Sequence, residues 1–264
     1  RLTSSPWPES IEVSDSAEAE GAWRVKGYVL LRTSADLASG GAAVRLPIEL
    51  TLEKEGDRWL IAQVVFNQSV LFEVPFSPQA PFANWLDSRQ NYGCEETSAL
   101  MAVKWARGEE LTPEEAEEII VEAAEWQIKH YGEFHDTSAK DTVDRLLKGY
   151  FGYQNAQLQS GIAVHHIKQA LWDGNIVIVP VRGRELQNPY YTPPGPLIHM
   201  VVVAGYDGTS GEFIVNDPGT RRGAKIRYEE NLFVAAIRDY ASGHNEPLQD
   251  SEKVMIVVSP EAGG

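Results

Sequence analysis

Gly93-Cys94-Glu95-Glu96-Thr97-Ser98-Ala99-Leu100-Met101, His199-Met200-Val201-Val202-Val203 and Asn216-Asp217-Pro218-Gly219 are the stretches on which the fold turns. The first opens a run of helical composition that reaches Arg107 and is closed by Gly108. A cysteine at a helix start sits where unpaired backbone N–H groups and the helix dipole favour a thiolate. The second stretch is an apolar strand with a histidine at its mouth, directly after the Pro-rich loop Asn188 to Pro196. A polar side chain entering a buried strand needs a partner. The third stretch closes the next strand. Two antiparallel strands joined by a turn at Asp207 to Gly211 would bring His199 and Asp217 within side-chain reach, and Asp217 could then orient the imidazole.

Outward from these stretches, the pattern before residue 175 is helical. Thr112-Pro113-Glu114-Glu115 is a strong helix start, with Thr as cap, Pro at the first position and Glu three residues after the cap. Ile119, Ile120 and Ala123 supply its apolar face, and the eight carboxylates between Glu109 and Glu125 read as a solvated face. Further helices are predicted after Ser138 and over His165 to Trp172, the latter stopped by Asp173-Gly174-Asn175. Beyond residue 175 come short apolar runs, Ile176–Val181, His199–Gly205, Phe213–Val215, Lys225–Tyr228 and Val254–Val257. Helices followed by strands predict an α+β domain over residues 71–264. Residues 71–90, with Pro75, Pro78 and Pro81 among aromatics, read as an extended segment.

Residues 1–70 differ. Residues 1–20 read as a polar, acidic lead-in. Trp23 to Arg32, the alternating Ala43 to Leu52, and Trp59 to Phe66 read as strands, the last two forming a hairpin about Lys54-Glu55-Gly56-Asp57. This region is expected to be a small β-rich accessory module of three or more strands.

Charge and composition narrow the partners. The 264 residues carry 23 Lys and Arg against 38 Asp and Glu, a net charge of −15, so a general affinity for nucleic acid is disfavoured. No apolar run reaches the ~18 residues of a spanning helix, which excludes a membrane-embedded body. The single cysteine allows neither an internal disulfide nor a Cys-rich zinc site. No phosphate-cradling Gly loop or His-x-x-x-His pair occurs, so neither metal nor other cofactor is expected.

The order Cys94, His199, Asp217, with Val74-Pro75-Phe76-Ser77-Pro78-Gln79 upstream and Gly205-Tyr206-Asp207 after the His199 strand, resembles the papain-like cysteine peptidase family of the double-glycine leader peptidases, in its stand-alone bacterial branch. The resemblance covers about residues 71–260. It implies a papain-like fold, with helices first and an antiparallel sheet after, and a peptide or protein substrate. It further implies Cys94 as nucleophile, His199 as base and then acid, Asp217 as its orienter, and Gln79 with the Cys94 backbone N–H as oxyanion donors. Gln90 is the rival to Gln79, being nearer in sequence. An exported or cell-surface bacterial protein is expected, and the cysteine content is equally compatible with the cytoplasm.

Many relatives carry Gly-Pro after the cysteine, where this chain has Glu95-Glu96. Carboxylates facing a thiol would raise its pKa. The expectation is that both stabilise the helix start and point away from the sulfur. Tyr190, Tyr191 and Glu95 are the expected substrate-binding residues. Two other functions stay open: a peptide-binding module that has lost turnover, and an acyl or peptidyl transferase on the same scaffold.

Overall fold

The structure is a computed structural model of the chain and describes residues 7–19, 21–32, 44–66, 69–244 and 252–261. The chain divides into two compact units, Arg1–Ser69 and Val70–Gly264.

The first unit is an antiparallel sheet of β1 (Trp7–Ala19), β2 (Ala22–Arg32), β3 (Val44–Glu55) and β4 (Arg58–Phe66), paired in that order. Val29, Ile48 and Leu50 form its small core. The expected lead-in is corrected over residues 7–19, which form a strand. The strand is held at the sheet edge by its backbone ladder with β2, and even Ile11 and Val13 are exposed, so its side-chain composition reads as a solvated segment. Residues 1–6 and Ala43 of the expected hairpin lie outside the described residues.

The second unit joins helices to one antiparallel sheet. Its elements are β5 (Val70–Leu71), α1 (Ser88–Asn91), α2 (Cys94–Ala106), α3 (Pro113–Tyr131), α4 (Ala139–Asp141), which runs on as π-helical turns over Thr142–Tyr150, β6 (Ala156–Ser160), α5 (Val164–Trp172), β7 (Ile176–Val181), β8 (His199–Asp207), β9 (Glu212–Asn216), β10 (Ile226–Glu229), α6 (Glu230–Ala236) and β11 (Val254–Val258). The sheet order is β10-β9-β8-β7-β11-β6, with β5 added on β8. Helices thus precede most of one antiparallel sheet, the α+β order expected of residues 71–264.

Both faces of the central strands are covered, which explains their unbroken apolar runs. Ile176, Ile178, Met200 and Val202 pack with Met101, Val143 and Leu146 on one side. Val177, Val179, Val201 and Val203 alternate to the other side, against Ile167, Leu171 and Phe233. Thr112 caps α3 by accepting from the Glu115 amide at 3.2 Å, with Pro113 next in the chain, and Gly132 ends the helix in a left-handed conformation. Three elements have no clear sequence signal. β6 buries only its first residue, β5 is two residues long, and α6 has seven residues and takes Glu229 as its cap, a side chain outside the usual cap set.

Candidate active site

α2 starts at Cys94 and packs on β8. Ser98, one turn on, donates its hydroxyl to the Met200 carbonyl at 3.1 Å. The Met200 backbone is in turn close enough to the Cys94 sulfur to favour its thiolate form. The thiol therefore lies against the start of β8, where His199 is the preceding residue. Cys94 and His199 line one cavity of about 540 Å³ together with Gln79, Tyr191 and Gly219. Cys94 is 8 % exposed and His199 2 %.

β8 and β9 form the hairpin, and the residue after β9 is Asp217, whose Oδ1 meets His199 Nε2 at 2.7 Å. Asp217 is fully buried, and four further donors converge on it. The Gly219 amide reaches Oδ1 at 2.9 Å, while Asn188 Nδ2 at 2.9 Å, the Tyr191 hydroxyl at 2.5 Å and the Tyr228 hydroxyl at 3.3 Å reach Oδ2. Burial alone would raise this carboxyl. The charge of His199 and its hydrogen bond, then those of Tyr191 and Gly219, outweigh burial and hold it below its ordinary value. An ionised carboxylate only accepts, so His199 Nε2 carries the hydrogen and Nδ1 is the nitrogen left free to take a proton. A Cβ on Gly219 would stand 3.0 Å from both Cε1 and Nε2 of His199, so glycine leaves the ring its room.

Glu95 differs from its expected place and is corrected on both counts. Its carboxylate does not point away from the sulfur: Cys94 Sγ donates to Oε2 at 3.0 Å and the Tyr240 hydroxyl donates to Oε1 at 2.7 Å. It is 1 % exposed and absent from the cavity wall, because the first turn of α2 is buried on all sides and directs it inward; it therefore has no surface for a substrate. Glu96 is buried too, accepting from Gln127 Nε2 at 2.6 Å. Burial first, then the negative charge of Glu95 and the hydrogen bond to it, drive the Cys94 thiol well above its ordinary pKa. Burial likewise pushes Glu95 up to about 7, against the hydrogen bonds from Cys94 and Tyr240, and raises Glu96, which also feels the Glu95 charge. In this arrangement the sulfur is a protonated thiol facing a carboxylate.

Gln79 is buried at the cavity, and its Nε2 donates to the carbonyls of Gln90 at 3.0 Å and Asn91 at 2.8 Å. Both amide hydrogens are thus engaged by the turn that leads into α2. Gln90 is buried and donates to Glu117 at 3.0 Å; it does not line the cavity. Tyr191 does line it, although its hydroxyl belongs to Asp217. Tyr190 is 46 % exposed outside the wall, with the Arg222 guanidinium 5.4 Å from its ring centroid. Trp85, Tyr92, Asp136 and Arg184, which no sequence motif singles out, are also among the residues lining the cavity. Asn188 and Tyr228, partners of Asp217, and Tyr240, partner of Glu95, are equally silent, because lone polar residues in loops or strands carry no spacing signal. Among the described residues no group of His, Cys, Asp and Glu could hold a metal, and no helix is long and apolar enough to cross a membrane.

The model of the Peptidase_C39-like family matches residues 72–244. A crystal structure from Bacillus anthracis, assigned to the C39-like peptidases, is similar at 15 % sequence identity with a TM-score of 0.46, covering 73 % of this chain and 98 % of the other. No curated protein matches the sequence.

Proposed function

Because the chain belongs to the Peptidase_C39-like family, a family that suggests cysteine peptidase activity on peptides or proteins, we propose that it hydrolyses a peptide or amide bond through a thioester acyl-enzyme. The observation that carries this reading is a buried imidazole–carboxylate pair sharing a cavity with the only cysteine. The thiol rotates from Glu95 toward His199, and Nδ1 takes its proton. The sulfur attacks the scissile carbonyl carbon, and the resulting oxyanion is held by the free Cys94 N–H at the start of α2. Gln79 joins as second donor on releasing one of its two carbonyl partners. The imidazolium, steadied by Asp217, returns the proton to the leaving amine. Water, deprotonated by His199, then attacks the thioester; the acid product leaves and the thiol is restored.

Incubation with a diverse peptide library, followed by intact-mass analysis, tests the proposal. Cleavage products, together with a transient adduct on Cys94 that Cys94→Ala abolishes, are expected. Absence of both would sink it.

A second reading has its own support. The Cys94 thiol faces Glu95 and its pKa is raised, as suits a peptide-binding module without turnover. Iodoacetamide labelling across pH separates the two, since an activated thiol reacts well below pH 8 and an inert one does not.

A further inference from the structure

Asp136 sits in the loop between α3 and α4 with φ of 53°, a left-handed conformation that Asp tolerates better than most residues. It is 8 % exposed, and that small surface faces the same cavity as Cys94. Among the described residues no hydrogen bond reaches its carboxylate. Its electrostatic neighbours are the imidazoles of His135 and His244 and the carboxylate of Glu133, and it adds to the negative field felt by Glu95 and Glu96. Glu96 Oε2 is likewise buried without a partner.

Glu95 and Glu96 thus act on the thiol and Asp136 acts on both of them, and among the described residues no lysine or arginine pairs with any of the three. Arg184, the cation on the cavity wall, is at the exposed rim and donates Nε to the Gly195 carbonyl at 3.1 Å. Burying an unpaired carboxylate is costly unless a cation completes it. Trp85 and Tyr92 line the same cavity, and aromatic rings beside a carboxylate favour a cation further.

We infer that Asp136 is a specificity-determining residue that takes a cationic group of the substrate, an alkylammonium or guanidinium on a side chain or at a free amino terminus, beside Cys94. The inference deepens the proposed peptidase reading and rests on it for the word substrate.

The test uses the full chain and the sulfur as reporter. Cys94 is labelled with three methanethiosulfonates, one carrying an ammonium, one neutral and one carrying a sulfonate. Relative to reactivity with a free thiol, the ammonium reagent should react fastest, and its advantage over the neutral reagent should fall about tenfold in Asp136→Asn. An unchanged ratio in a folded variant, or a preference for the sulfonate, would overturn the inference. A measurement without mutation guards against misfolding. N-acetyl-lysine amide and norleucine amide with its free amine should each be compared with N-acetyl-norleucine amide as protectants against the neutral reagent. Better protection by the first assigns a side-chain cation, and by the second an amino terminus. Equal protection by all three again overturns it. Charge-selective labelling without any peptide cleavage would defeat the peptidase reading alone. Cleavage indifferent to charge would defeat this inference alone.

Discussion

The Cys94 thiol donates to Glu95 Oε2 at 3.0 Å, across a single peptide bond. The adjacent carboxylate opposes the stabilisation that the start of α2 gives a thiolate, and burial adds to that opposition. Glu95→Gln removes the charge and keeps a group of the same shape beside the Tyr240 hydroxyl. Iodoacetamide labelling at pH 7 should then rise about tenfold, corresponding to a thiol pKa lower by about one unit. A rate equal to that of the parent chain would show that Glu95 does not restrain the sulfur.

The same carboxyl makes stability depend on pH. Glu95 is raised to about 7 in the folded chain, and Glu96 is raised as well, so the native state binds more protons than the unfolded one above the ordinary glutamate range. The stabilising contribution is complete below that range and is lost as pH rises through about 7. The thermal midpoint should fall between pH 5 and pH 8, by a free energy on the order of a few kcal/mol. The fall should flatten in Glu95→Gln. Asp217 acts in the opposite sense and at lower pH: its depressed carboxyl stabilises the fold above the ordinary aspartate range and is lost only on strong acidification. A midpoint that rises from pH 5 to pH 8 would contradict this assignment.

Five donors hold Asp217, and their removal should be graded. Asp217→Asn should cut turnover about 10³- to 10⁴-fold by unsettling the His199 tautomer. Tyr191→Phe removes a single 2.5 Å bond and should cost about 1.5–3 kcal/mol in stability, with a much smaller loss of turnover. Chemical denaturation and steady-state kinetics on both variants check the order. A Tyr191→Phe loss as large as that of Asp217→Asn would place the tyrosine in contact with substrate instead.

The second unit carries its own core on both faces of the sheet. A chain beginning at Val70 should therefore fold, show a cooperative thermal transition and keep the labelling rate of Cys94. Starting after Leu71 should be worse, because β5 would be lost from β8 at Tyr206 and Gly205. Circular dichroism on the two truncations decides this.

Much of the site could be read from sequence where residues sit at element boundaries. Cys94 stands at the start of a helix, His199 at the mouth of an apolar strand, and Asp217 before Pro218-Gly219, and each position is marked by local turn and cap chemistry. The direction of Glu95 could not be read. Its neighbours on the helix suggest a capping role, whereas its contact with Tyr240 lies 145 residues away. Asp136 was equally hidden, since a single acid in a loop gains meaning only from the cavity it faces. The same division holds for the fold: β7 and β8 are legible because both faces are covered, while β1 and β6 leave most of their side chains to solvent and read as loops.

The β8–β9 hairpin has a bearing on how this chain could be re-engineered. His199 opens its first arm and Asp217 follows its second, 18 residues apart, so their pairing depends on its register, while Cys94 comes from a helix whose tie to β8 spans 102 residues. The hairpin is therefore a portable cassette: grafted with Asn188, Tyr191 and Tyr228 around it, it would carry the imidazole–carboxylate pair to a host sheet, and the recipient scaffold would have only to present a sulfur to test the proposed relay.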